Sequence, residues 1–375
     1  MNGISIILYF LINSIVIVLF SCRVEHGENS LVYNKQKKPS IFILIVAAIL
    51  YTLLNYICTI MCDEVNGTNG TIYGYDRYNY YLDFKGRNSS TKGLVSIFNF
   101  VKLFTNDFNI VLYITSFLCC LIVFISYRIS EERSVAALVF FLLTDIVFSF
   151  FIHLKQCYVN SIFALIIVLS MGKNTIVKDI FCLFLIYIGL QFHAIAIVLL
   201  PIFILIRFNR WQNKFFIVIS LAVVVLFLLV KPIAVYVAGR IQSIYPYGAN
   251  KIMEYFSSNT KHESSMFAFI KGLPLYLITL FGLLKRHDLK AIYNNYDNYL
   301  FLSIIGSAFY LLSIVSYWLY RATMLFYFPI SILFGIIYNE LRTKEKTVFI
   351  TLTVMPQMVI FIRWLILMAI NYGVL

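Results

Sequence analysis

The residues able to do chemistry stand out because almost everything around them is apolar. His193, in Gln191-Phe192-His193, carries an imidazole that takes a proton near neutral pH, the property a general base needs. Arg321 follows the aromatic stretch Tyr317-Trp318-Leu319-Tyr320, and a guanidinium there can grip a phosphate through two parallel hydrogen bonds. Arg77, Arg240 and Arg363 offer the same chemistry, Arg363 the least. His153, Lys155, Gln156 and Asn160 gather in one short stretch; positions 153, 156 and 160 share a face of a continuous helix, so Lys155 points elsewhere or the chain bends. Asp76 adds a carboxylate beside Arg77. Each also has an ordinary structural use, as a hydrogen-bonding His or an Arg reaching lipid headgroups. Asp145, near the middle of an apolar run, reads as the partner of a basic residue on another helix, because proton relays show several intramembrane acids and this chain has one.

The elements that hold these groups must be membrane helices. The 375 residues are 61% hydrophobic and 13% charged, with a mean hydropathy of +0.86, whereas soluble domains are about 25% charged. So few charges cannot build a water-facing surface, and with lipid as solvent the backbone must be satisfied inside helices. The apolar runs are Ile4–Phe20, Ile41–Met61, Ile110–Ser126, Val135–Leu154, Tyr158–Met171, Phe181–Ile206, Phe215–Val230, Phe267–Leu284, Tyr299–Tyr317, Ala322–Tyr338 and Val348–Ile370. They predict an all-α, polytopic transmembrane protein of about 11–12 spans, residues 1–375 forming a single transmembrane domain. The first run, followed by basic residues and another span, reads as a retained helix rather than a signal peptide.

The net charge of +13 lies in short basic clusters between runs. That pattern marks cytoplasmic loops and excludes a nucleic-acid partner as its explanation. Phe181–Ile206 is bracketed by two such clusters, Lys173 with Lys178 and Arg207 with Arg210 and Lys214. A single span cannot begin and end on one side, so a hairpin of two short helices turning near Leu190, Gln191, Phe192 and His193 is expected; the alternative is one long tilted helix. Two long outer loops remain, residues 62–109 and 231–266, both rich in Tyr and Asn, which suits sugar binding by stacking and hydrogen bonding as well as simple interfacial anchoring. The first holds the sequons Asn66-Gly-Thr68, Asn69-Gly-Thr71 and Asn88-Ser-Ser90. The seven cysteines form no CxxC pair and read as small core residues. No metal-ligand cluster stands on the outer side, and no internal repeat or phosphate-binding glycine loop is found.

The stretch Gly74-Tyr75-Asp76-Arg77-Tyr78-Asn79-Tyr80-Tyr81-Leu82-Asp83-Phe84 resembles the G-x-D-x-x-x-Y-x-x-x-F signature after the second helix of EpsG-like, Wzy-type bacterial polysaccharide polymerases. Three features follow in matching order: Lys155-Gln156 where that family often has Arg-Gln, Phe192-His193-Ala194-Ile195-Ala196 where it has F-H-x-S-A, and Arg321 before the tenth span. Lys155 lacks the bidentate fork of the family's Arg, and no Arg immediately precedes Gly74. The resemblance implies a GT-C-like architecture in the bacterial inner membrane. It also implies polymerisation, at the periplasmic face, of undecaprenyl-diphosphate-linked oligosaccharide repeat units into O-antigen or capsule, without cofactor or metal. Besides lipid, a flippase and a chain-length regulator would be its partners. In that reading His193 or Asp76 is the base, and Arg321, Arg77, Arg240, Lys155 and Gln156 bind substrate and diphosphate. Two competing readings are a flippase for the same lipid-linked unit and a membrane O-acyltransferase of surface sugars.

Overall fold

The computed structural model describes residues 3–21, 39–65, 80–86, 92–144, 153–172, 175–207, 265–313 and 317–371, with a few positions between 225 and 253. Asp76, Arg77, Asp145, the sequons and most of the run Phe215–Val230 lie outside the described residues. Every regular element described is helical, as expected of apolar segments that must satisfy their own backbone groups. The chain divides into two compact units, Met1–Phe208 with Met358–Leu375, and Asn209–Gln357.

In the first unit, α1 (Gly3–Ser21), α2 (Ile41–Val65), α3 (Lys92–Val101), α4 (Phe108–Ile129), α5 (Val135–Leu142), α6 (Leu154–Ser170), α7 (Ile176–Phe192) and α8 (Leu199–Arg207) follow in chain order. The longer helices pack in series, α1 on α2, α2 on α4, α4 on α6 and α6 on α7, while α3 rests against α4 and α7. Short polar residues set their starts: Asp107 accepts from the Asn109 N–H (2.8 Å), Ser134 from Ala137 (3.1 Å) and Thr175 from Lys178 (3.3 Å). Polar ties then lock neighbours together. The Tyr51 hydroxyl donates to Asn13 Oδ1 between α2 and α1, and Arg128 Nε donates to the Pro39 carbonyl at 2.9 Å, joining the end of α4 to the start of α2.

The run Phe181–Ile206 is a hairpin. α7 ends at Phe192, His193 is extended (φ −158°, ψ 138°), a 3₁₀ turn covers Ala194–Val198, and α8 returns. Arg207 at the end of α8 meets Asp179 at the start of α7 through two bonds, Nε–Oδ1 2.6 Å and Nη2–Oδ2 2.7 Å. Gly189 allows the turn to close, since a Cβ there would lie 3.2 Å from that of Ala196. By contrast, Val135–Leu154 is not one helix. Thr144 folds back on Phe141 O through its N–H (3.1 Å) and its hydroxyl (2.7 Å), which ends α5 and leaves Leu154 to open α6.

The second unit contains α9 (Ser265–Leu284), α10 (Arg286–Ile292), α11 (Tyr296–Leu312), α12 (Tyr317–Thr323), α13 (Tyr327–Glu340) and the start of α14 (Thr343–Asn371). α9, α11 and α13 each pack on the other two. Phe349 stacks on Phe334 (5.1 Å, 19°) and meets Phe281 edge-on (5.1 Å, 73°). A seam of hydroxyls joins α9 to α11, with Thr279 Oγ1 and Ser307 Oγ 2.7 Å apart. At the polar end, Arg286 grips both oxygens of Asp297 (2.8 and 3.0 Å) and Lys290 adds a third contact at 2.8 Å. Burial pulls the Asp297 carboxyl upward, but the hydrogen bonds and charges of Arg286 and Lys290 outweigh it and hold it below the usual carboxylate range.

Among the described residues, two helical segments are long and apolar enough to cross a membrane by length and composition, Phe108–Ile129 and Leu319–Glu340. Shorter apolar helices such as Leu154–Ser170 accompany them, and the runs Val135–Leu154 and Phe181–Ile206 are interrupted by turns. Gly306 of α11 is packed against the 3₁₀ turn Met324–Phe326 that links α12 to α13: a Cβ would come 2.5 Å from that of Phe326. Gly306→Ala is therefore expected to destabilise the second unit by about 1–3 kcal/mol through overpacking, measured as a lowered unfolding temperature in detergent. An unchanged midpoint would show that the two segments separate freely.

Candidate functional site

The second half of the loop motif is folded and anchored. Tyr80 and Phe84 lie one helical turn apart in the helical turn 80–84 and are both buried. The Phe84 ring packs on Phe98 of α3 (6.2 Å) and Phe108 of α4 (5.4 Å). Lys102 lies over that ring at 4.3 Å and donates to the Phe84 carbonyl. Gly86, at φ 72°, turns the chain out of this segment. Asp83, only 2% exposed, faces the first turn of α6, where Lys155 Nζ approaches its Oδ2 to 2.9 Å and also lies 5.4 Å from the Tyr80 ring centre.

Lys155 and Gln156 lie within α6, whose continuous turns carry Gln156 and Asn160 on one face and send Lys155 to another. His153 stands just before the helix (φ −115°, ψ 54°) and its side chain makes no capping bond. Gln156 is buried, and Asn160, 3% exposed, has an amide whose nitrogen and oxygen make no hydrogen bond among the described residues. An unsatisfied buried amide costs about 1–3 kcal/mol per group, so a polar partner at this face of α6 would be favoured. Two residues on from Gln156, and so on a different face of α6, Tyr158 stacks flat on Phe192 (4.4 Å, 10°) and donates to the Thr115 carbonyl at 2.8 Å. α6 is thereby pressed against the residue preceding His193.

His193 closes α7 and opens the 3₁₀ turn. Its N–H donates to Gly189 O at 3.1 Å, and its Nδ1 accepts the Ile195 N–H at 3.1 Å. A neutral imidazole with Nδ1 accepting carries its proton on Nε2, which makes that nitrogen a donor. α3 closes over the same turn: a Cβ on Gly93 would lie 3.0 Å from the Gln191 carbonyl oxygen and 3.1 Å from the Phe192 ring.

In the second unit Arg321, itself half-buried, directly precedes residues 322–337, which are all buried by the protein itself. A guanidinium anchoring to headgroups belongs on a lipid-facing helix, and this helix is enclosed. Its neighbour Tyr320 meets Tyr310 edge-on (6.0 Å), and Tyr310 meets Tyr276 (6.4 Å). Arg240 is exposed, 5.3 Å from the Tyr236 ring.

The first unit thus brings together Lys155, Gln156 and, through the Tyr158–Phe192 stack, the His193 turn. Arg321 and Arg240 belong to the second unit. Asn160 is found, as expected, on a helical face with Gln156; Asp83 is the addition, part of the motif stretch but given no role by the sequence alone. Among the described residues no group of three or more His, Cys, Asp or Glu side chains converges. The chain matches the EpsG family over residues 68–375. No curated protein and no solved structure matches it.

Proposed function

Because this chain belongs to the EpsG family, which points to a polymerase of polysaccharide biosynthesis, we propose that it is a Wzy-type polymerase extending undecaprenyl-diphosphate-linked oligosaccharides at the periplasmic face of the inner membrane. The single observation that supports this best is the convergence in the first unit: the Tyr80–Phe84 turn is clasped to α6 by Asp83 and Lys155, and α6 stacks on the His193 hairpin. Three segments far apart in sequence, each part of the family resemblance, meet around buried polar groups. In this reading the chain crosses the membrane about 11–12 times in a GT-C-like arrangement.

In the proposed reaction an acceptor sugar hydroxyl attacks the anomeric carbon of the donor. The new glycosidic C–O bond forms as the bond to diphosphate breaks, the hydroxyl proton passes to a base, and undecaprenyl diphosphate leaves. Negative charge grows on the leaving oxygen, so fixed cations aimed there lower the barrier. Arg321, with Arg77 and Arg240, fills that role. Lys155 is neutralised by Asp83 and serves to position the motif. With His193 Nδ1 engaged by Ile195, the ring offers Nε2–H as a donor, and Asp76 becomes the proton acceptor.

The test is reconstitution of the purified protein with lipid-linked repeat units alone. Longer lipid-linked chains are expected; movement of units between leaflets without growth would instead establish the flippase, and acylated units the acyltransferase. In the same assay His193→Gln, which retains a donor, is expected to keep part of the activity, whereas Asp76→Asn stops growth. Inactive His193→Gln beside active Asp76→Asn would return the base to His193.

A further inference from the structure

The loop between α2 and α4 carries an apolar edge that neither the spans nor the proposed site explains. α3 buries Leu94, Phe98 and Val101 against its neighbours. Just beyond that face, Phe100 (63% exposed), Leu103 (76%) and Phe104 (75%) stand open, with the Phe100 and Phe104 rings 5.6 Å apart. Three large side chains in water at one point would be costly, at about 25 cal/mol for each Å² of apolar surface left exposed. α3 has 10 residues, about 15 Å of helix, half of what a bilayer core requires, so it cannot be a span.

Position identifies the occupant. Four residues after Phe104 begins Phe108–Ile129, an apolar helix of 22 residues, whose roughly 33 Å length matches the hydrocarbon thickness. Phe104 is therefore within about 14 Å of chain from the membrane boundary. Tyr81, itself partly exposed, packs edge-on against Phe108 at 5.4 Å and adds an amphipathic ring at the same level. Lys102 turns inward to Phe84, which leaves Phe100, Leu103 and Phe104 as the outward side chains of this turn, with the exposed Asn99, Asn106 and Asp107 flanking them.

We propose that Phe100, Leu103 and Phe104 form a wedge seated in the lipid leaflet beside the start of α4, so that α3 lies on the membrane surface as an interfacial helix. Its two faces then do different work. The lipid-facing edge fixes its depth, and the buried face holds Phe84 while Gly93 rests on the Gln191 carbonyl. The wedge thus sets the height of the motif turn and the His193 hairpin relative to the bilayer. It needs only that the chain reside in a membrane, and stands apart from the reaction proposed above.

The test places an indole at the wedge, Phe104→Trp, in a background with Trp211, Trp318 and Trp364 replaced by Phe, reconstituted in phosphatidylethanolamine and phosphatidylglycerol vesicles. Expected are a blue-shifted emission and quenching several-fold stronger by lipids brominated near the glycerol than by aqueous iodide. Stronger quenching by iodide would overturn the wedge. A second measurement uses Phe104→Cys in native membranes: slow reaction with a water-soluble maleimide, relative to the same label on an exposed loop, supports it. Cross-linking between two copies at that position would overturn it, by showing that the edge meets a second chain.

Discussion

Arg321→Ala is expected to abolish chain growth in the reconstituted reaction while protein level in the membrane and unfolding temperature stay near those of the parent. The expected loss is on the order of 10²–10³-fold, the scale seen when one donor that stabilises a developing anion is removed. Two features of the structure support so large an effect. Arg321 is half-buried at the mouth of a segment enclosed by protein, where a charge is screened less than in water and acts more strongly on any anion it meets. It also sits in a helix whose neighbour Tyr320 is packed against Tyr310, which holds the backbone in place when the side chain is truncated. Arg321→Lys retains the charge but loses the planar fork, and recovers only a small part of the rate. Near-parental growth in Arg321→Ala would reduce the residue to an anchor and leave the leaving group to other cations.

Hydropathy alone could not separate the two environments that Arg321 distinguishes. Phe108–Ile129 leaves many of its residues open on the outside of the protein, whereas most residues of Leu319–Glu340 are buried within it. Both read as apolar runs, because lipid tails and protein interiors make similar demands on a side chain. The second is an enclosed helix, which tolerates polar groups that lipid would reject.

What was legible rested on local chemistry. Basic residues at both ends of Phe181–Ile206 required an even number of crossings, and Asp179 and Arg207 now meet where those ends return to one level. The Tyr80–Phe84 turn, by contrast, falls in what the sequence marks only as a long outer loop, yet it is helical and buries both rings. The break after Leu142 was not legible, since apolar residues continue past it and the device that ends the helix is one Thr144 hydroxyl. The partner of Lys155 was hidden for a different reason. Asp83 belongs to a loop that comes to α6 only through the tertiary packing of Phe84 on α3 and α4.

That ion pair yields the second large effect. Asp83→Asn leaves the Lys155 ammonium without its 2.9 Å counter-charge in a mostly enclosed position, and breaking one side of a buried pair costs about 3–5 kcal/mol. The motif turn should come away from α6, so protease sensitivity at residues 80–86 rises and chain growth falls steeply. Lys155→Met alone is expected to do nearly the same, by stranding Asp83. The double variant Asp83→Asn/Lys155→Met removes both charges, and replacing a buried pair by neutral groups of similar size is often close to neutral. Protease resistance and most of the chain growth should therefore return together in the double variant, a recovery that a purely stabilising pair and a positioning pair share. The KM for lipid-linked donor separates positioning from direct contact. If Lys155 acts only through Asp83, the restored double variant keeps the parental KM; a lysine touching diphosphate would leave it stable but with a KM raised and growth still lost.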